Sequence, residues 1–162
     1  MMRPFALALA LLASPLALGA QDIGLPVGTQ APAAALVTLD GKPADLSRWV
    51  GKGPVLIEFW ATWCGNCKQL EPSMQRVAQR YAGKVTLVGV AVGVNQSPER
   101  VRRYAEKHKL PLEVLYDARG TASEAYQVPA TSYVVVIDRT GKIVYTGQGG
   151  DQDLEAAVKR AL

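Results

Sequence analysis

The two cysteines of the chain, Cys64 and Cys67, are separated by Gly65 and Asn66. They follow an apolar run that ends at Trp60, and residues at helical spacing follow them. A sulfur at the N-terminus of a helix meets unpaired N–H groups and the positive end of the helix dipole, which stabilise a thiolate. The second sulfur lies one turn further on and is expected to be the more buried. The spacing predicts a redox pair in which Cys64 attacks a substrate disulfide and Cys67 resolves the mixed disulfide.

Other uses of paired cysteines fit this sequence less well. A purely structural disulfide would close a very short loop and stabilise little, because its entropic effect grows with loop length. A zinc site needs four ligands, but the chain has two Cys and a single His, His108, on a predicted helix face. A thiol peroxidase would need a further cysteine outside the pair. We therefore expect no metal site and assign His108 no role.

The first twenty residues have the features of an export signal. Arg3 precedes an apolar stretch, 5–18, and the small residues Gly19 and Ala20 follow it. The stretch is shorter than a membrane span, although an uncleaved membrane anchor stays open as the alternative. We predict a signal peptide over 1–20, a flexible tether over 21–30 and a domain over 31–162. Export leads to an oxidising compartment, in which a cysteine pair is free to form a disulfide.

Length and composition indicate one soluble domain. The chain has 162 residues, of which 49% are hydrophobic and 20% charged, so a packed core is expected. Its net charge of +4 comes without a long Lys or Arg run, which gives no reason to expect a nucleic-acid partner. We expect a monomer.

Apolar runs alternate with segments of helical spacing. Strands are predicted at 36–39, 55–60, 85–92, 114–116, 133–137 and 143–146. Helices are predicted after the cysteines, from the capping residue Ser97, over 120–126, and after a cap at Asp151 or Asp153. Asp40 and Gly41 predict a hairpin turn after the first strand. This order predicts an α/β fold whose mixed sheet is covered by helices on both faces.

Several of these segments also resemble a known family. The sequence Phe-Trp-Ala-Thr-Trp-Cys over 59–64, the hairpin over 136–142, Gly51-Lys52 and the entry over 28–32 resemble exported thiol–disulfide oxidoreductases of the TlpA/ResA type. The resemblance covers about 28–162. It implies a thioredoxin-like fold with an N-terminal β-hairpin extension, and contacts between Trp63 and the substrate.

The resemblance gives Glu58 a role. Glu58 lies six positions before Cys64 in an otherwise apolar strand, where thioredoxin-like proteins often have a buried acid. Burial without a partner raises the pKa of a carboxyl group, and such a group can exchange a proton with the resolving Cys67. The alternative is a Glu58 at the strand end or sheet edge that faces water.

Two departures from the family pattern affect the function. The residues between the cysteines include neither the common proline nor the histidine of strongly oxidising relatives, which favours a reductant over a disulfide donor. TlpA-like members commonly have an acid three residues after the second cysteine, where this chain has Leu70, with Glu71 next to it. The sequence therefore gives little support to a specific role in cytochrome c maturation.

Thioredoxin-like proteins usually place a cis-proline opposite the cysteines. Pro129 is the obvious candidate, but gap-free matching of the flanking segments places Ser132 there, with Thr131 before it. We therefore predict Pro129 in the lead-in loop and a trans bond between Thr131 and Ser132, because a non-proline cis bond is costly. Pro129, Thr131 and Ser132 are predicted to contact substrate, and the Ser132 hydroxyl to hydrogen-bond a Cys64 thiolate.

These observations predict an enzyme that exchanges electrons with protein thiols and disulfides outside the cytoplasm. A membrane electron donor of the DsbD/CcdA type is expected to keep it reduced. No bound cofactor is expected, because the two cysteines themselves hold the electrons. A thioredoxin-fold binding protein or chaperone without catalysis is the alternative, although it would not need a reactive dithiol.

Overall fold

The computed structural model describes residues 24–162. The predicted signal peptide lies outside the described residues, as do the first three residues of the predicted tether. Seven strands form one mixed sheet. They are β1 (Ala35–Thr38), β2 (Pro43–Asp45), β3 (Val55–Trp60), β4 (Thr86–Val92), β5 (Glu113–Asp117), β6 (Tyr133–Ile137) and β7 (Ile143–Gln148). The helices are α1 (Gly65–Arg80), α2 (Pro98–His108), α3 (Thr121–Ala125) and α4 (Leu154–Lys159), and a short 3-10 helix spans Leu46–Arg48.

The sheet order is β2-β1-β5-β4-β3-β6-β7. Strands β3, β4 and β5 are parallel, and β1 and β6 run antiparallel to their neighbours β5 and β3. The N-terminal hairpin forms as predicted, because Gly41 takes the positive φ of 77° that the turn between β1 and β2 requires. The hairpin extends the sheet beyond β5.

Helices cover both faces of the sheet, as predicted. On one face, apolar residues of α1 and α4 pack with Leu56, Val134 and Val136, and Val101 of α2 packs in an adjoining cluster with Trp60. On the other face, α3 and the 3-10 helix pack on alternate residues of the same strands. Strand β3 lies inside the sheet and is buried along its whole length. The turn that leads from β3 to Cys64 therefore starts from a packed strand.

The helix starts follow local capping chemistry. The Ser97 side chain accepts a hydrogen bond from the Arg100 N–H, and Pro98 occupies the first turn of α2. Asp153, one of the two predicted caps, accepts from the Ala156 N–H at the start of α4. Helix α1 continues through Pro72.

The segment before β1 differs from the flexible tether that we predicted over 21–30. The Gly28 N–H donates to the Ile143 carbonyl at 2.8 Å, and the Ile143 N–H donates to the Thr29 carbonyl at 2.9 Å. Leu25 packs against the core. The described part of this segment is therefore attached to the domain, because it completes backbone hydrogen bonds at the start of β7. The boundaries at residues 20 and 30 stay predictions.

Candidate active site

Cys64 and Cys67 form a disulfide at the junction between β3 and α1. Cys64 is the N-cap of α1 in extended conformation, and its Sγ accepts a hydrogen bond from the Cys67 N–H at 3.0 Å. The sulfur of Cys64 thus accepts a hydrogen bond from an N–H group at the N-terminus of α1, as the sequence predicts. The expected difference in burial is absent, because each cysteine of the disulfide is 5% exposed.

The turn that precedes the disulfide is held by the loop after β4. The Gln96 side chain accepts from the Thr62 N–H at 2.9 Å and donates to the Val92 carbonyl at 2.6 Å. The Trp63 indole N–H donates to the Val94 carbonyl at 2.9 Å. Sequence reasoning missed Gln96, since no motif identifies a glutamine that accepts a hydrogen bond from a residue 34 positions away.

An apolar cavity of about 560 Å³ lies beside Trp63. Trp63 and Val94 line it and are 44% and 57% exposed. Val128, Ala130 and Thr131 contribute another wall. Large exposed apolar side chains around one cavity next to a reactive pair favour contact with an apolar side chain of a substrate.

Glu58 is buried at the centre of the sheet, 5% exposed, between Gly89 of β4 and Val134 of β6. Its Oε1 has no hydrogen-bond partner among residues 24–162. Burial, and secondarily the negative charge of Glu71, raise the pKa of Glu58 to about 8. The prediction of a buried acid is confirmed against the alternative of a water-facing one. Its catalytic role stays a prediction.

Glu71 belongs to a cluster that the sequence did not reveal. The Tyr104 hydroxyl donates to Glu71 Oε1 at 2.6 Å, and His108 Nδ1 lies 3.0 Å from Glu71 Oε2. The Tyr104 and His108 rings stack with their centroids 3.9 Å apart. Burial, followed by the hydrogen bond to Glu71, raises the pKa of Tyr104. His108, which was assigned no role, therefore packs and pairs within this cluster.

A second buried carboxylate, Asp117 at the end of β5, is fully hydrogen-bonded. Its oxygens accept from the Ala122 N–H at 3.3 Å and from the Ser123 N–H and hydroxyl at 2.8 Å each. The two N–H groups are unpaired backbone donors at the start of α3, whose N-cap, Gly120, has no side chain to satisfy them. Asp117 therefore anchors α3 to the sheet.

The loop before β6 partly matches the prediction. No described peptide bond is cis, so Pro129 and the Thr131–Ser132 bond are trans, as predicted. Ser132 is buried and has a positive φ of 61°. Its hydroxyl donates to the Gly149 carbonyl at 2.9 Å, where we had expected a bond to Cys64. The loop over 149–152 also donates to the Ser132 carbonyl and so fixes this residue in place.

Two of the three predicted contact residues in this loop do not reach the Trp63 cavity. Pro129 is exposed, and its neighbours Val128 and Ala130 form the wall. Thr131 lines the cavity, whereas Ser132 is buried behind it. Substrate contact by any of them stays a prediction.

The profile of the Redoxin family matches residues 26–162. The chain belongs to the Redoxin family. It is 32% identical over 138 residues to the thioredoxin-like protein YneN of Bacillus subtilis, which covers 83% of this chain and 80% of that protein. It is 30% identical over 131 residues to the thiol-disulfide oxidoreductase ResA of Geobacillus thermodenitrificans, covering 80% and 74%.

A solved structure supports the same assignment for this Redoxin. A secreted disulfide oxidoreductase of Mycobacterium tuberculosis, described as homologous to DsbE of E. coli, superimposes with a TM-score of 0.66 at 26% identity. The match covers 78% of this chain and 93% of that chain. The fold is thioredoxin-like and the protein is a thiol–disulfide oxidoreductase. Within residues 24–162, no helix has the length and apolar character that a membrane crossing requires.

Proposed function

We propose that this Redoxin reduces protein disulfides outside the cytoplasm through Cys64 and Cys67. The observation that carries the proposal is the hydrogen bond from the Cys67 N–H to Cys64 Sγ at the N-terminus of α1. In the reduced protein, the same amide and helix dipole stabilise a Cys64 thiolate, the form that attacks disulfides.

The reaction proceeds in two exchanges. The Cys64 thiolate attacks one sulfur of the substrate disulfide, and the other substrate sulfur leaves as a thiolate. Cys67 then loses its proton to the Glu58 carboxylate and attacks Cys64 Sγ, so the second substrate sulfur leaves. The products are a reduced substrate and the Cys64–Cys67 disulfide.

A pKa of about 8 fits Glu58 for this proton transfer. A buried carboxyl with a pKa near the working pH populates both protonation states, so it can take a proton and release it again in the next cycle. Glu58 alternates along β3 with Leu56, which packs with residues of α1, and Trp60, which clusters with both cysteines, so its side chain is on the same face of the sheet as the cysteines.

The direction of electron flow, the compartment and the electron donor are each proposed from a different observation. The dipeptide Gly65-Asn66 lacks the histidine of strong oxidants. The N-terminal export pattern and the similarity to a secreted oxidoreductase support a place outside the cytoplasm. In that compartment a membrane donor of the DsbD/CcdA type would return two electrons to the Cys64–Cys67 disulfide.

Reduction of insulin by dithiothreitol tests the activity. The native protein is expected to accelerate insulin precipitation, and Cys64→Ser is expected to abolish the acceleration. No acceleration by the native protein would refute the proposal. A reduction potential of about −270 mV would support a reductant, whereas one of about −120 mV would identify an oxidant.

The role of Glu58 has its own test. Glu58→Gln is expected to slow disulfide reduction about tenfold near pH 7, the low end of what positioned proton transfer contributes. The slowing should diminish as the pH rises, because Cys67 then loses its proton to solvent. An unchanged profile of rate against pH would remove Glu58 from the mechanism.

A further inference from the structure

A groove of about 450 Å³ lies between the start of α1 and the exposed face of α2. We call it the basic groove, because four of its seven lining side chains are Lys or Arg: it is lined by Thr62, Lys68, Arg100, Arg103, Tyr104, Lys107 and His108. It shares no lining residue with the cavity beside Trp63. Its character is therefore distinct from that of the apolar cavity.

Three cations of the basic groove lack a carboxylate partner. Arg103 pairs with Glu99, and His108 pairs with Glu71 at 3.0 Å. By contrast, no ion pair within residues 24–162 involves Lys68, Arg100 or Lys107. The positive charge facing this groove is thus only partly neutralised.

The sequence of α2 directs the cations to this side. Arg100, Arg103 and Lys107 are spaced by three and four residues, so they share one face of the helix. Arg102 points elsewhere and pairs with Asp40 of the β1–β2 turn at 2.6 Å. The unpaired positive charge of α2 is therefore concentrated along the groove, whereas Arg102 on another side of the helix is neutralised by Asp40.

Thr62 supplies an independent sign of a ligand. It lines the groove and is 5% exposed, and its hydroxyl Oγ1 has no hydrogen-bond partner in the described part of the chain. The Gln96 side chain fixes its backbone N–H at 2.9 Å. A buried hydroxyl without a partner is uncommon in native proteins and indicates a missing group that accepts or donates a hydrogen bond.

The basic groove is next to the redox pair in the chain. Thr62 lies two residues before Cys64, and Lys68 follows Cys67 directly. An anion at this end of α1 also meets the positive end of the helix dipole. A group bound here would therefore place neighbouring atoms of the same molecule beside the disulfide.

The length of the cationic face indicates a peptide. Arg100 and Lys107 are separated by about 10 Å along the helix axis at 1.5 Å per residue. One small anion cannot contact both ends of that distance, whereas an extended chain of about three residues spans it at roughly 3.3 Å per residue. Side chains of an extended segment alternate between its two faces, so carboxylates on the same face lie two or four residues apart. Two carboxylates four residues apart, about 13 Å, lie within reach of the long side chains of Arg100 and Lys107.

We propose that the basic groove binds an acidic segment that flanks the redox-active cysteine of a partner protein. The inference rests on the proposed thiol–disulfide exchange and adds the class of partner. Lys68, Arg100 and Lys107 attract the carboxylates, and the Thr62 hydroxyl donates to the one nearest the cysteine pair. Partners with Asp or Glu beside the reacting cysteine are thereby selected over neutral ones.

Two disulfide peptides of identical length test the proposal. One has two Glu residues four positions apart beside a cysteine, so that both face the same side of an extended chain, and the other has Gln at both positions. The rate constant for reaction with the reduced protein is expected to be about tenfold larger for the acidic peptide at low salt, in line with electrostatic steering. The ratio of the two rate constants should approach one at about 1 M salt.

Variants locate the effect. The double variant Arg100→Glu, Lys107→Glu is expected to reduce the ratio to one or below. A matched control, Lys84→Glu with Lys159→Glu, makes the same change in net charge at exposed positions outside the groove and should keep the native ratio. Thr62→Val should reduce the ratio partially. Each ratio is internal to one protein sample, so partial misfolding does not change it.

Equal rate constants for the two peptides in the native protein would overturn the inference, as would an unchanged ratio in the Arg100/Lys107 variant. Absence of reaction with either peptide would refute the proposed function instead. In that case, the preference of the basic groove for acidic peptides is tested by titrating fluorescent, cysteine-free versions of the two peptides against the oxidised protein. Equal affinities would overturn the inference, and tighter binding of the Glu peptide would support it.

Discussion

Glu58 on β3 and Asp117 on β5 are both buried carboxylates, yet their surroundings are opposite. Asp117 is surrounded by three donors from the start of α3. Glu58 has an oxygen with no partner within residues 24–162, in a strand with apolar neighbours. Burial alone therefore does not decide what an acid does. The supply of donors decides whether a buried carboxyl is bonded to its surroundings, as Asp117 is, or keeps an oxygen without a partner, as Glu58 does within residues 24–162.

The largest expected effect concerns the stability of Glu58→Gln. Native Glu58 binds its proton more tightly folded than unfolded, because its pKa rises from 4.5 to about 8. The folded protein must therefore lose stability as the pH rises from about 4.5 to 8, by about 3 to 5 kcal/mol in total. Glu58→Gln lacks this loss. Urea unfolding of the oxidised protein from pH 4 to pH 9 measures the difference.

A matched control for this variant is Glu124→Gln, which removes a carboxylate from the exposed surface of α3. Parallel stability curves for native protein and Glu58→Gln across the whole pH range would contradict the account of Glu58 as an unsatisfied buried acid.

The next effect concerns Asp117→Ala. Removing the carboxylate leaves two backbone N–H groups and a hydroxyl of α3 without their acceptor, so we expect a loss of about 2 to 3 kcal/mol in the free energy of unfolding. Ser123→Ala removes only the hydroxyl donor and should cost about 1 kcal/mol. Urea unfolding at a single pH separates the two. Equal losses would show that the backbone donors find other acceptors.

The smallest effect concerns Glu71→Gln. The Glu71 charge is the secondary cause of the raised pKa of Glu58, after burial. Removing the charge should lower the pKa of Glu58 by less than one unit. The loss of stability at high pH then ends at a lower pH and is smaller by less than about 1.4 kcal/mol. The amide oxygen of Gln still accepts from Tyr104. Glu106→Gln on exposed α2 is the control, and a shift upward would reverse the assigned sign.

The elements that position the site were predictable from local patterns. The run over 55–60, apolar except for Glu58, coincides with β3, and Ser97 with Pro98 starts α2 where expected. The Cys64/Cys67 spacing predicted a sulfur at a helix N-terminus, and the resemblance predicted the buried Glu58. In each case the determining residues are adjacent in sequence or periodic, so one strand or helix contains the whole pattern.

What was missed depends on contacts between distant segments. The Ser132 hydroxyl bonds Gly149 instead of approaching Cys64, because the loop after β7 packs over it. Glu71 of α1 meets Tyr104 and His108 of α2, which are 33 and 37 residues away in sequence. Gln96 reaches Thr62 across 34 residues. Such partners follow from tertiary packing, which periodicity does not encode.

The pairing of β1 with β5 constrains the order in which the sheet is completed. Val37 pairs with Tyr116, so the strand nearest the N-terminus finds its neighbour only after most of the chain is present. Contacts of such long sequence separation are slow to form. A chain that emerges N-terminus first must keep β1 and β2 as an unpaired hairpin until β5 arrives. Until then, the edge of β1 that β5 will cover is open to other chains. Closing this edge is therefore a late step of folding, and the interval before it is when aggregation competes.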